Sequence, residues 1–176
     1  MKIFVVVFIY LLSLSVYAET IQTLTDYLRE QLKGQESTSK ETFKLSPEQI
    51  DKLKEIALKA TDEQFIFFYG KSKDGKIKKA CTVVSQEGKE GPMSIGVCFD
   101  PDGIVTSVDL LSMLEDHGQK VKEQSFLKQF KGKNVASSFQ VGKDINGVSG
   151  ATISSWAVSE AVRKSSYAFK TFIQKK

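Results

Sequence analysis

The chain has 176 residues, 41% of them hydrophobic and 26% charged. That composition suits one globular domain with a real core and excludes disorder throughout. The net charge is only +4, and lysines alternate with acids as in Lys52, Lys54 and Glu55, which argues against a nucleic-acid partner.

The N-terminus reads as an export signal over residues 1–18. Lys2 is a short basic start, residues 3–16 are apolar, and Val16-Tyr17-Ala18 is a small-x-small cleavage site. The apolar run is short for a membrane span of about 20 residues, so an uncleaved anchor is the rival reading. Either way the domain is expected in the periplasm or on the outer face of the cytoplasmic membrane.

Residues 19–62 read as an N-terminal helical region. A first helix is expected over 19–35, with Ile21, Leu24, Leu28 and Leu32 as its apolar stripe and Gly34 as its stop. Residues 35–40 are polar and read as a loop. Ser46, Pro47 and Gln49 form a capping-box start for a second helix. Its stripe is Ile50, Leu53, Ile56, Ala57 and Leu58, and its end is expected near Ala60.

Residues 63–176 read as the main domain. Strands are expected over 64–69, 77–85, 93–99 and 104–111. Between them lie Asp74-Gly75, a polar turn at 86–91, and Asp100-Pro101-Asp102-Gly103. Consecutive hairpins predict an antiparallel meander, so the fold class is α+β with that sheet packed against helices. A hairpin tip at Lys89 and Glu90 puts Cys81 directly opposite Cys98. An exported chain permits a disulfide there; buried free thiols and a redox-active pair are the alternatives.

Residues 121–130 predict a short helix with Phe126, Leu127 and Phe130 inward, and 138–141 a short strand. The last helix is expected over 153–172, with Trp156, Val158, Val162 and Phe169 on the sheet and Arg163 and Lys164 on the wetter side. Just before it, residues 144–155 carry Asp144, Asn146, Gly147, Ser149, Gly150, Ala151, Thr152, Ser154 and Ser155. A glycine-rich turn opening a helix is a place for an anion, because first-turn N–H groups lack partners and the helix dipole favours negative charge. The hydroxyls of Ser149, Thr152, Ser154 and Ser155 can add donors. The alternative is an ordinary N-cap made by Ser149 or Thr152.

Ser149-Gly150-Ala151-Thr152 followed by Ile153-Ser154-Ser155 resembles the flavin-attachment motif of the FMN-binding domain family. In many members a flavin transferase links the FMN phosphate to the last Thr of the motif, here Thr152. Members commonly carry Asp six positions earlier. That position is Asn146 here, with Asp144 two residues before it, a departure that bears on covalent attachment and not on non-covalent binding. The likeness extends to Glu115 and Gly118 after the fourth strand and to the run from Phe126 to Lys133. In the family that loop lies against the flavin ring.

The resemblance implies FMN as cofactor, contacts from Thr152, Ser149, Gly150, Ala151, Ser154, Glu115 and Gly118, and covalent attachment at Thr152. It implies an extracytoplasmic flavoprotein relaying electrons between membrane-bound or extracytoplasmic donor and acceptor proteins. The alternative is a non-redox envelope module that holds FMN non-covalently and docks to a membrane partner through residues 19–60. No dinucleotide fingerprint is visible, so direct NADH oxidation is not expected. A hydrolase reading starts from Gly147-Val148-Ser149-Gly150-Ala151 as a nucleophile elbow. The single histidine, His117, precedes Ser149, which leaves only a convergent triad with Asp116. A lone His supports no metal site.

Overall fold

The computed structural model describes residues 19–56, 63–114 and 118–174. The expected export signal, the expected end of the second helix with Ala57 and Leu58, and Glu115, Asp116 and His117 lie outside the described residues.

The chain forms an α+β domain around one antiparallel sheet. In chain order the elements are β1 (Glu19–Thr20), α1 (Leu24–Gln31), β2 (Ser37–Lys44), α2 (Pro47–Ile56), β3 (Gln64–Lys71), β4 (Ile77–Glu87), β5 (Pro92–Phe99), β6 (Val105–Met113), α3 (Gln124–Leu127) and α4 (Thr152–Phe172). The sheet order is β1-β6-β5-β4-β3-β2, so β3 to β6 make the expected meander. Asp100 shapes one of its turns, its carboxylate accepting the amides of Asp102 (3.0 Å) and Ile104 (2.9 Å).

Each face of the sheet buries a different cluster. The front face carries Phe65, Phe67, Val84, Ile95, Val97 and Phe99 against α4. Phe169 of α4 lies 4.9 Å from Phe99 and 6.0 Å from Phe67, centroid to centroid. The back face carries Cys81, Cys98 and Leu111 under Tyr27 and Leu32 of α1. In β6 the pairing shifts against β5: Cys98 faces Ser107 and Phe99 faces Val105. This bulge lets Val105 and Val108 both reach the front core, where strict alternation would have put them on opposite faces.

Cys81 and Cys98 are paired in the β4–β5 register and joined by a disulfide. Both are fully buried, and the Tyr27 hydroxyl sits 3.1 Å from Cys98 Sγ. A disulfide sulfur has no proton, so the tyrosine donates.

Several expectations need correction. Residues 35–40 are not simply a loop, because β2 begins at Ser37. It is an edge strand whose side chains are nearly all exposed, so it pairs with β3 through its backbone without apolar alternation. The first helix is shorter than 19–35, because Glu19 and Thr20 pair with β6 and Thr23 caps the helix at the Asp26 amide. Its buried side is Tyr27 and Leu32, while Ile21 and Leu24 are exposed. The 121–130 helix is broken: 3-10 turns at Gln119–Lys122 and Lys128–Phe130 flank α3, and Glu123 is extended. The bend buries Val121 together with Phe126, Leu127 and Phe130. No strand forms over 138–141; only Val141 bridges to Ile145.

The capping box of α2 is made as expected. Gln49 Oε1 accepts the Ser46 amide at 2.8 Å, and Ser46 Oγ accepts the Gln49 amide at 3.3 Å. Residues 19–56 thus contribute strands as well as helices, and β1 and β2 form the two edges of the same sheet.

Candidate functional site

The glycine-rich stretch is presented by three local devices. The first is a knot on Asp144. Its carboxylate accepts the Ser138 hydroxyl (2.5 Å) and the amides of Gln140 (2.7 Å) and Phe139 (3.0 Å), with Lys133 Nζ at 3.5 Å. Partial burial on its own would raise the pKa of this group. The Ser138 hydroxyl, the two amides and Lys133 outweigh it and hold the carboxyl at about 2. Asp144 is therefore engaged in folding its own loop and does not stand in for a carboxylate at position 146.

The knot also holds Phe139, whose φ of +50° makes it the one non-glycine with positive φ among the described residues. A bulky residue there is strained, and the buried ring and the Asp144 bond retain it.

The second device is a clamp. Gln129 Oε1 accepts the Asn146 amide at 2.8 Å, and Gln129 Nε2 donates to the Asn146 carbonyl at 3.1 Å. The third is Ser155, fully buried, whose hydroxyl accepts the Val148 amide at 3.0 Å and donates to the Ala151 carbonyl at 2.8 Å. Ser155 thus ties the loop to the helix and is not an available ligand donor.

The helix opens at Thr152, with Ala151 at the cap position. Ala151 has no side-chain oxygen, no side-chain cap bond is made, and the first turn holds no acid. The ordinary N-cap alternative is thereby overturned. The helix start therefore has no side-chain cap from Ala151, and the positive end of a 21-residue helix stands at Thr152 and Ile153. Ser149, Gly150 and Thr152 are exposed, and Gly150 has a φ of +78° with open space where a Cβ would stand. Ser154 is buried.

Gly118 packs against this same helix start. A Cβ there would fall 2.9 Å from Ser154 Oγ and 3.2 Å from Ala151 Cβ. The structure therefore brings Gly118, Ala151, Ser154 and the exposed Ser149, Gly150 and Thr152 into one neighbourhood. Glu115 belongs to the undescribed part of that loop.

Two α4 residues depart from expectation. Trp156 does not pack on the sheet but is 56% exposed. It follows Thr152 by four positions and so shares its solvent face. Lys164 is not on the wetter side: it is 1% exposed and its Nζ donates to the Ser85 carbonyl at 2.5 Å, fixing α4 to β4. Sequence spacing could have revealed Trp156 through its step from Thr152. It carried no signal for Gln129, which meets Asn146 from another segment.

A groove of about 750 Å³ runs beside the exposed face of α4, lined in part by Ile153, Trp156, Phe139 and Val141. Two further grooves, between α2 and α4 and between α1 and β2, include none of the motif residues.

Other chemistry finds less support. The elbow reading of Ser149 requires a strand running into the turn. Here Ser149 follows irregular turns, so that context is missing. No group of residues that could hold a metal ion occurs among the described residues.

Residues 88–166 match the family model of the FMN-binding domain. That span holds β5, β6, Gly118, the Gln129 clamp and the whole glycine-rich stretch. Solved structures share the fold, two of them as follows. NqrC of Shewanella oneidensis is 15% identical, with 85% of this chain and 88% of that chain covered and a TM-score of 0.54. The corresponding component of the Na(+)-translocating NADH-quinone reductase of Parabacteroides distasonis is 22% identical, with 69% and 68% covered and a TM-score of 0.52. No curated protein matches the chain.

Proposed function

We propose that this chain, whose residues 88–166 match the FMN-binding domain model, is an extracytoplasmic flavoprotein carrying FMN as a phosphoester on Thr152 and relaying electrons within a membrane-associated redox chain. The observation that carries the reading is an exposed threonine at an uncapped, acid-free helix start, inside the matched span. The residues fit the group. The first-turn amides would hold the phosphate oxygens, Gly150 permits close backbone approach, and Ser155 and Gln129 keep the loop in place.

FMN, when bound, supplies one- and two-electron redox chemistry. The protein's share is to fix the phosphate and expose the cofactor to partners. Attachment needs a flavin transferase. The Thr152 Oγ1–phosphorus bond forms, the bond from that phosphorus to a phosphoanhydride leaving group breaks, and the hydroxyl proton passes to a base of the transferase. The likeness to a component of a Na(+)-translocating NADH-quinone reductase supports a place among membrane redox proteins. The apolar segment at 1–18 supports export.

Coexpression with a flavin transferase tests this. The intact mass is expected to show one FMN added, and Thr152→Val to abolish the addition. A colourless wild type that also fails to bind free FMN sinks the reading. Asn146 favours a second reading, non-covalent FMN in an envelope module, since no carboxylate replaces the usual Asp. Yellow protein that loses all colour on acid precipitation supports it.

A further inference from the structure

The back face of the sheet is only partly roofed. The short helix α1 packs over Cys81, Cys98 and Leu111, and the edge strand β2 extends the sheet beyond it. A groove of about 480 Å³ is left between α1 and β2. Its floor is apolar: Leu32 is buried, and Leu28 and Phe68 are half-buried. Its rim is Arg29 from α1 with Thr38, Ser39 and Lys40 from β2, all of them exposed. Lys40 pairs with Phe68 across the strands, so the cation and the ring share one face of the sheet. No acid among the described residues lines the groove. Asp26 stands 2.6 Å from Arg29 outside it. Both side chains of that pair are well exposed, and such a pair gives way readily to a phosphate.

The apolar floor continues towards the start of α1. Leu24, Leu28 and Leu32 recur at four-residue steps and form one stripe, buried at Leu32 and 44% exposed at Leu24. Ile21 just before the helix is exposed as well, and so is Ile66, which shares a strand face with Phe68. The apolar run of residues 3–16 ends three positions before Glu19. At about 3.5 Å per residue, Ile21 lies within about 18 Å of the end of that run. A surface with an apolar floor, a cationic rim and this attachment suits a layer of anionic amphiphiles.

We propose that this face seats on the bilayer, with an anionic phospholipid headgroup between Arg29 and Lys40 and with Ile21 and Leu24 in the interface. The proposal rests on the membrane-associated part of the functional reading and is independent of FMN on Thr152. Arg29 grips phosphate oxygens with its fork of donors, and Lys40 adds a point charge. The hydroxyls of Thr38 and Ser39 donate to the same headgroup, and the glycerol and upper acyl carbons lie towards Leu28 and Phe68.

The test uses the protein as its host processes it, carrying a polarity-sensitive fluorophore on Leu24→Cys. Cys81 and Cys98 are the only native cysteines and are bonded to each other, so the label reaches only the new thiol. Mixed phosphatidylcholine–phosphatidylglycerol vesicles are expected to shift the emission to the blue and raise it several-fold. Phosphatidylcholine alone, or high salt, is expected to give a much smaller change. Adding Arg29→Glu and Lys40→Glu together is expected to remove most of the response. The charge-matched pair Lys73→Glu and Lys170→Glu, placed outside the groove, is expected to leave it unchanged. A probe that no vesicle moves overturns the proposal, and so does a control pair that loses as much as the groove pair. A shift that follows protein concentration without vesicles reads a second copy on this face and overturns the lipid assignment. The intact mass of the same sample scores the flavin reading separately. Protein loaded with FMN whose probe is silent loses only the membrane face, and responding protein that takes no FMN loses only the flavin.

Discussion

Asp144 and Asn146 lie two positions apart in one loop, yet one is consumed by folding and the other faces solvent. Asp144 takes three hydrogen bonds and an ion pair. Each bond to a charged acceptor contributes about 1.5–3 kcal/mol, and such contributions overlap within one network. Asp144→Ala is expected to cost about 2–3 kcal/mol in urea unfolding. The carboxyl is held at about 2, below its ordinary 3.8. A depressed pKa stabilises the fold above the ordinary value and loses that contribution as pH falls through the depressed one. Wild-type stability should therefore drop between pH ~4 and ~2, and Asp144→Asn should flatten part of that slope. Asn146 has its backbone clamped by Gln129 and its side chain exposed. Asn146→Asp is expected to increase the fraction of chain carrying FMN after coexpression with a flavin transferase, read by intact mass. An unchanged fraction would show that the transferase does not need that carboxylate.

At the scale of elements, the site is a junction of three segments that lie apart along the chain. The helix start needs the loop tied by Ser155, the loop needs Gln129 from the segment after α3, and Gly118 packs on Ser154. Gly118 has a φ of +91° and no room for a side chain. Gly118→Val is expected to destabilise by about 1–3 kcal/mol through backbone strain and overpacking. The same change should weaken FMN retention, because it displaces Ala151 and Ser154. A variant of full stability in urea and full FMN content would contradict this packing. The hairpin of β4 and β5 carries a different constraint, a disulfide across 17 positions. A loop of that length predicts a loss of about 3 kcal/mol when both cysteines become serine.

Across the whole molecule the sheet divides labour between its faces. The front face packs α4 and so fixes the direction in which the helix start points. The back face holds the disulfide under α1. Tyr27 fits over Gly96, where a Cβ would fall inside the tyrosine ring. Gln31 joins α1 to three strand residues, accepting from Lys79 (2.7 Å) and Ser107 (2.9 Å) and donating to Asp109 (3.1 Å). Burial, and then the nearby Asp109 charge, raises the Tyr27 pKa well above its ordinary value, so the hydroxyl stays protonated and donates to sulfur. With both cysteines fully buried, reductant reaches them only when α1 lifts. Tyr27→Ala is expected to speed reduction of the disulfide by dithiothreitol severalfold under native conditions, read by thiol labelling and mass. An unchanged rate would mean that α1 is not the cover.

The meander, the capping box, the Cys81–Cys98 register and the start of the last helix were legible in the chain because each depends on short-range chemistry. Turn residues, side-chain alternation and cap spacing act within a few positions. Ser149 to Ser155 likewise raise the expectation of an anion site through their residue types, before any packing is known. What only the tertiary structure decided involves partners distant along the chain. β2 is a strand because β3 offers its edge, Lys164 is buried because Ser85 offers a carbonyl, and Asn146 is held because Gln129 reaches it. Trp156 is outward because α4 turns Val158, Ala161, Val162 and Phe169 to the core, which leaves Trp156 on the side that lines the groove. Hydrophobicity alone assigns such a residue to the core, and only the packing of the remaining residues shows that the core is already full.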